Sequence, residues 1–241
     1  MKVVAIVQAR LGSTRLPRKV LQDLDGEPML ARVLNRLQRA RLVDQVVVAT
    51  TTEARDSPLV EWCESSGWPV FQGSETDVLD RYLGAAKAFN ADVVVRITSD
   101  CPLIDPGVVD LVVKALLIRQ PPLDYVSNIL TRTYPRGLDT EAFRHAALES
   151  AWIEDQDVSS REHVTPYLYR KPGRFRLGGV ENEKDVSHLR WTVDTAEDLE
   201  LIRRIYETFG HDEMSWREVL DLIERNPEWS EINRHIEQKV I

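Results

Sequence analysis

The sequence predicts an α/β protein with a doubly wound, mostly parallel sheet, and three observations carry that prediction. Short runs rich in Val, Ala and Ile (Val3 to Val7, Val46 to Ala49, Val93 to Thr98) are almost continuously apolar, the pattern of strands covered on both faces. Between them, apolar residues recur at helical spacing, so each strand is followed by a helix that returns the chain to the next parallel strand. A basic loop leaves the first strand, at the end where open parallel sheets bind their ligands.

Composition narrows the class further. At 241 residues, 43% hydrophobic and 29% charged, the chain is one large α/β domain or one domain with a sizeable insertion. A net charge of -8 argues against sequence-independent nucleic-acid binding. The first strand begins beside Lys2, leaving no room for a secretory signal, and no apolar run is long enough for a membrane span, so a cytoplasmic protein is expected. Cys63 and Cys101 make neither a disulfide framework nor a zinc site and are expected to be reduced.

The first strand runs into Gln8-Ala9-Arg10-Leu11-Gly12-Ser13-Thr14-Arg15-Leu16-Pro17-Arg18-Lys19. Gly12 and Pro17 rule out a continuing strand, and Arg10, Arg15, Arg18 and Lys19 have no carboxylate among them, so the loop reads as an anion cradle, with a solvated basic turn as the alternative. It matches neither G-x-x-x-x-G-K-[ST] nor G-x-G-x-x-G, which disfavours a kinase-like P-loop protein and a dinucleotide dehydrogenase. Asp25-Gly26-Glu27-Pro28 is turn chemistry, with Pro28 expected in the first turn of a helix carrying Met29, Leu30, Val33, Leu34 and Leu37 on one face. After the second strand, a helix from Asp56 to Ser66 stops at Gly67, and Val70 to Gln72 form a third strand. Gly73 to Arg81 turn into a helix ending near Asn90, with Ser74 or Thr76 as its expected N-cap.

The strand Val93 to Thr98 ends in Ser99-Asp100-Cys101-Pro102, which places a carboxylate at the same crevice as the basic loop. Asp100 could instead cap the turn into a helix from Pro106 to Arg119. Arg96, inside an apolar strand, either pairs with an acid in the core or points to a substrate carboxylate.

Beyond Gln120-Pro121-Pro122 the rhythm changes. A strand from Asp124 to Ser127 leads to a polar, basic loop from Thr131 to Asp139, the kind of segment that carries recognition. Then come a helix from Thr140 to Glu154, a linker from Asp155 to Asp157, and a helix opening at Ser159, where Glu162 would complete a capping box. His163 on that helix reads either as a base or as a structural residue. Strands are expected at Phe175 to Val180 and at Leu189 to Val193, the latter closing the sheet and ending at Asp194. Thr195 caps a helix from Ala196 to Phe209, Ser215 and Glu218 box the start of a helix to Asn226, and the tail to Ile241 is expected to be helical.

The pattern Ala9-Arg10-x-x-Ser13-x-Arg15-x-x-x-Lys19 resembles the nucleotide loop of the CMP-sugar-acid synthetases, the cytidylyltransferases acting on sialic acid and on 3-deoxy-manno-octulosonate. Among them the chain most resembles the spore-coat-polysaccharide branch, over nearly its whole length. The resemblance implies a nucleotidyltransferase (Rossmann-like) sheet spanning 1–241, with 124–190 as a substrate flap and dimerisation insertion, and a homodimer. It implies that Arg10, Gly12, Ser13, Arg15 and Lys19 wrap the triphosphate of CTP, that Ala9 approaches the base, and that Ser74 and Asp77 lie beside the cytosine ring. Asp100 and the Asp194 of Asp194-Thr195-x-x-Asp198 would hold Mg²⁺, with Arg15, Lys19 and Asp100 as the catalytic set. Arg136 in Tyr134-Pro135-Arg136-Gly137-Leu138-Asp139 would hold the acceptor, together with Arg96 and with Glu162 and His163 of the branch's Arg-Glu-His.

The expected reaction is transfer of CMP from CTP to an acidic sugar of nonulosonate or octulosonate type, with release of pyrophosphate, in polysaccharide biosynthesis. A sugar phosphate or phosphonate is the alternative acceptor. A nucleotide-sugar glycosyltransferase is the third reading, although its Asp-x-Asp letters occur only at Asp23-Leu24-Asp25 and Asp155-Gln156-Asp157, on polar turns.

Overall fold

The computed structural model describes residues 1–13 and 15–237. In chain order the elements are β1 (Val3–Gln8), a β2–β3 hairpin (Asp23–Leu24 and Glu27–Pro28), α1 (Met29–Leu37), β4 (Gln45–Thr51), α2 (Ser57–Ser65), β5 (Val70–Gly73), α3 (Val78–Ala88), β6 (Val93–Thr98) and α4 (Pro106–Ile118). They are followed by β7 (Tyr125–Ser127), β8 (Glu141–Arg144), α5 (His145–Glu154), α6 (Val158–His163), α7 (Pro166–Arg170), β9 (Leu177–Gly179), α8 (Ala196–Phe209) and α9 (Trp216–Arg225). The sheet order is β5-β4-β1-β6-β8-β7-β9, parallel through β5, β4, β1 and β6, with β8 antiparallel to both β6 and β7. The mostly parallel doubly wound sheet read from the sequence is therefore what forms.

Alternation along the strands sorts the core into two layers. Val3, Ala5 and Val7 of β1 pack with α1, α2 and α4 on one face, whereas Val4 and Ile6 pack with α3 and α5 on the other. A third cluster, built on Trp191, Tyr206 and Ile202, gathers α8 and α9 beside the carboxyl end of β6. No helix among the described residues is long and apolar enough to cross a membrane. Cys63 and Cys101 are both buried and unpaired.

Several local expectations are corrected. Pro28 ends β3 and caps α1 from outside, because Asp25 and Gly26, both at positive φ, close a tight hairpin before the helix starts. The helix expected from Thr140 begins only at His145, and residues 141–144 form β8, drawn into the sheet by pairing on both sides. Leu189 to Val193 add no strand to the sheet and make only an isolated bridge between Arg136 and Arg190. The cap of α6 is Asp157, which accepts from the Ser159 and Ser160 N–H groups, so the Ser159–Glu162 box does not form. The cap of α3 is Asp77, in place of Ser74 or Thr76, and Asp105 caps α4, which removes that role from Asp100. After α9 the chain makes a 3₁₀ turn at Pro227–Trp229, and the rest of the expected tail helix falls partly on 238–241, outside the described residues. Segment 124–190 supplies β7, β8 and β9 to the central sheet.

Candidate active site

A cleft of about 340 Å³ lies beyond the carboxyl ends of β1 and β6. Its lining includes Ala9, Arg10, Gly12, Ser13, Arg15 and Lys19 of the basic loop together with Asp100, Asp194, Glu162 and His163. The loop is held there by a residue that the sequence reading passed over. Asp56, completely buried, accepts the Leu11 N–H at 2.7 Å and the Thr51 hydroxyl. These two bonds satisfy the buried carboxylate and fix the direction in which the chain leaves β1.

The two acids that are 94 positions apart in number meet through backbone contacts. The Val193 N–H donates to the Asp100 carbonyl at 2.8 Å, and the Thr192 hydroxyl donates to the same oxygen. Asp194 is thereby delivered beside Asp100. Lys19 Nζ lies 2.9 Å from Asp100 Oδ2 and 3.0 Å from Asp194 Oδ1, and it also donates to the Val193 carbonyl. Arg15 reaches Asp194 Oδ1 at 3.0 Å, while Arg190 holds Asp194 Oδ2 and forks onto Asp198. Burial alone would raise the Asp100 carboxyl, but the Lys19 ammonium and hydrogen bonds from Thr98 and Lys19 hold it down at about 2. Burial likewise opposes the charge on Lys19, and Asp100 and Asp194 outweigh it and raise the ammonium.

Asp100 and Asp194 are hard oxygen donors facing one point, and among the described residues no group of three or more His, Cys, Asp or Glu side chains could hold a metal. One or two carboxylates, completed by phosphate oxygens and water, is the donor set that magnesium takes at nucleotide sites, so the pair fits it.

A second cavity, about 490 Å³, adjoins the first and shares Gln8, Thr98, Asp100, His163 and Asp194 with it. Its cations are Arg96, Arg132 and Arg136. Arg96 takes the first of its two sequence readings, an ion pair with Glu141 in the sheet, and it also lines this cavity, its buried Nε unpartnered. Arg132 is forked onto Asp139 at 2.6 and 2.7 Å. Arg136 makes no ion pair among the described residues, and burial, followed by repulsion from Arg132, lowers its guanidinium. Burial also lowers the His163 imidazole, which faces both cavities and so tends to the neutral form.

Ser74 and Asp77 do not line the cleft. Ser74 Oγ accepts the Asp77 N–H, and Asp77 caps α3 while pairing with Arg161 at 2.7 Å. That pair staples α6 to α3 and so presents Glu162 and His163 to the cleft. The residue from this helix that does line the cleft, along with Val78, is Arg81, buried, with Nη1 on the Ser74 carbonyl and Nε unpartnered. Its position three residues after Val78, on the same helix face, is the signal that could have found it. Arg18 of the basic loop is exposed. The Asp-x-Asp letters serve structure: Asp23 and Asp25 lie in the hairpin, and Asp157 caps α6. A larger cavity of about 670 Å³ is lined by Arg190, Trp191 and residues of α9 and the chain after it, and it shares Arg136 with the second cavity.

An open parallel sheet with cations and paired acids converging at the ends of its central strands defines a nucleotidyltransferase. The chain belongs to the cytidylyltransferase family, whose profile matches residues 4–225. It is 39% identical to an uncharacterized protein of Methanocaldococcus jannaschii over 99% of this chain and 97% of the relative. It is 31% identical to the spore coat polysaccharide biosynthesis protein SpsF of Bacillus subtilis, covering 94% of this chain and 95% of the relative. A 3-deoxy-manno-octulosonate cytidylyltransferase of Chloroherpeton thalassium is 37% identical over 85% of this chain and 98% of its own. The solved structure of a cytidylyltransferase from Leptospira borgpetersenii superposes with a TM-score of 0.92 at 36% identity, covering 100% of both chains.

Proposed function

We propose that the enzyme transfers CMP from CTP to the hydroxyl of an acidic sugar and releases pyrophosphate. The observation that carries this reading is the joining of two cavities: Lys19, Arg15, Asp100 and Asp194 gather in one, and Arg136, a cation without an ion pair among the described residues, lines the other. The relative named for 3-deoxy-manno-octulosonate, a sugar acid, supports an acidic sugar as acceptor, and the one named for spore coat polysaccharide supports a role in polysaccharide biosynthesis.

In this reading the triphosphate lies along Arg10, Gly12, Ser13, Arg15 and Lys19, with the base toward Ala9 and Arg81. Mg²⁺, held by Asp100 and Asp194, would polarise the phosphoryl oxygens. Lys19 and Arg15 neutralise the charge that builds on the departing pyrophosphate, which is where preorganised cations contribute most. Arg136 and the open edge of Arg96 hold the acceptor carboxylate and so orient its hydroxyl toward the α-phosphorus. Glu162 and His163 stand where the two substrates meet, and a neutral His163 has the lone pair needed to take the hydroxyl proton. A homodimer and a cytoplasmic location belong to the same proposal. A sugar phosphate or phosphonate is the second reading, favoured by the three arginines that line the acceptor cavity.

The test is pyrophosphate release from CTP and Mg²⁺ across a panel of acidic sugars, sugar phosphates and phosphonates. One class of acceptor should support turnover, and Asp100→Ala should abolish it. Release that survives Asp100→Ala unchanged removes Asp100 from the mechanism.

A further inference from the structure

We propose that Lys19 is a built-in counter-ion that closes the Asp100–Asp194 pair to a lone divalent cation, so that metal is admitted only together with a triphosphate. The inference rests on the reading that these two carboxylates form the metal site.

The ammonium of Lys19 has three donors, and the structure engages all of them: Asp100 Oδ2 at 2.9 Å, Asp194 Oδ1 at 3.0 Å and the Val193 carbonyl at 3.0 Å. The space between the carboxylates is therefore filled by a cation that belongs to the chain. Asp194 is saturated further, with Arg15 on the same Oδ1 at 3.0 Å and Arg190 on Oδ2 at 2.9 Å. Asp100, Asp194 and Asp198 carry three negative charges against three positive ones from Lys19, Arg15 and Arg190. A divalent ion added to this cluster finds no net charge to neutralise, and it meets three cations at close range in a partly desolvated site.

The three cations are not held alike. Arg190 is buried and forked onto Asp198, and Asn233 donates to both the Arg190 carbonyl and Asp198 Oδ1. It stays where it is. Lys19 stands on a flexible stem from a 3₁₀ turn, and Arg15 projects from an exposed part of the loop. Both line the cleft and can turn from carboxylate to phosphate oxygens without moving a strand or helix. A triphosphate in the loop is the competitor that draws them off. Partners are then exchanged: Lys19 and Arg15 go to the phosphates, Asp194 Oδ1 and Asp100 are released for the metal, and Asp194 Oδ2 remains on Arg190, which keeps the carboxylate aimed.

The experiment measures Mn²⁺ binding to the full chain without nucleotide, by electron paramagnetic resonance and by the Mn²⁺-dependent rise in melting temperature. Wild type should bind Mn²⁺ weakly, Lys19→Met at least about tenfold more tightly, and Arg15→Met by an intermediate amount. Wild type binding as tightly as Lys19→Met, or neither variant exceeding wild type, overturns the proposal. Adding Asp100→Asn to Lys19→Met should return binding to the wild-type level. If the double variant instead binds as tightly as Lys19→Met, the metal-site reading itself fails. Arg15→Met, which alters a more exposed side chain, gives the answer even if Lys19→Met folds poorly.

Discussion

At the scale of single residues, arginines in this protein divide by whether an acid answers them. Arg132 is answered by Asp139, Arg161 by Asp77 and Arg190 by Asp194 and Asp198. Arg136 makes no ion pair among the described residues, and it lines the cavity beside the cleft of Lys19 and Asp100, so its charge faces open space. Removing it should cost an acidic acceptor one charge-assisted hydrogen bond, about 1.5–3 kcal/mol. The expected result for Arg136→Met is a KM for the acceptor raised by roughly one to two orders of magnitude, with the KM for CTP unchanged. Steady-state kinetics with each substrate varied in turn checks this, and an unchanged acceptor KM would take Arg136 out of the acceptor site. The sequence already marked Arg136 as a cation in a recognition loop. It gave no sign that Asp77 would be consumed by Arg161, since the two lie 84 positions apart.

At the scale of elements, β8 shows why a local reading misses strands of this kind. Thr140 to Arg144 lead into a true helix and are short, so nothing in their own spacing separates them from it. The edge of β6 decides the matter: Arg96 stands opposite Glu141 in the antiparallel register, and the Tyr125 hydroxyl donates to the same carboxylate at 2.6 Å. A cross-strand ion pair in a buried sheet needs both partners, and they come from distant segments. The loop before β8 is fixed in the same way. Gly137 has φ 106°, and a Cβ there would lie 2.6 Å from the Trp191 carbonyl carbon, so the loop that carries Arg136 crosses the backbone at 191–192 in contact. Gly137→Ala should lose about 1–3 kcal/mol from the backbone angle alone, with more from the clash. Thermal unfolding and the acceptor KM should both register it, whereas an unaltered melting temperature would contradict the close approach.

At the scale of the molecule, α1 is what ties the sheet to the C-terminal layer. Arg36, fully buried, donates to the carbonyls of Ile104, Asp212 and Met214, while Asp212 is paired with Arg39 at 2.7 Å. Burial would raise the Asp212 carboxyl, and Arg39 overrides it and holds the group below the usual carboxylate range. A carboxyl depressed on folding stabilises the fold above its unfolded pKa, near ~3.9, and loses that contribution as the pH falls through its lower folded value. Urea denaturation from neutral to acidic pH should therefore show wild type more stable than Asp212→Asn by about 1 kcal/mol at neutral pH, with the two converging below about pH 4. A constant difference across that range would assign the tie between α1 and the C-terminal layer to Arg36 and the backbone alone.

The sequence by itself determined the alternation of buried strands and amphipathic helices, the cationic loop after β1, and the two acids at strand and segment ends. Each is written in residues close together, where period, charge and turn chemistry act. Tertiary structure alone decided that Lys19 would bridge Asp100 and Asp194, that Asp56 would anchor the loop, that Arg81 would line the cleft while Ser74 and Asp77 would not, and that residues 141–144 would be strand. Those outcomes depend on which groups a fold brings within a few ångströms of one another. A buried charge or an open strand edge takes the partner that the packing presents, however far away in the chain it lies.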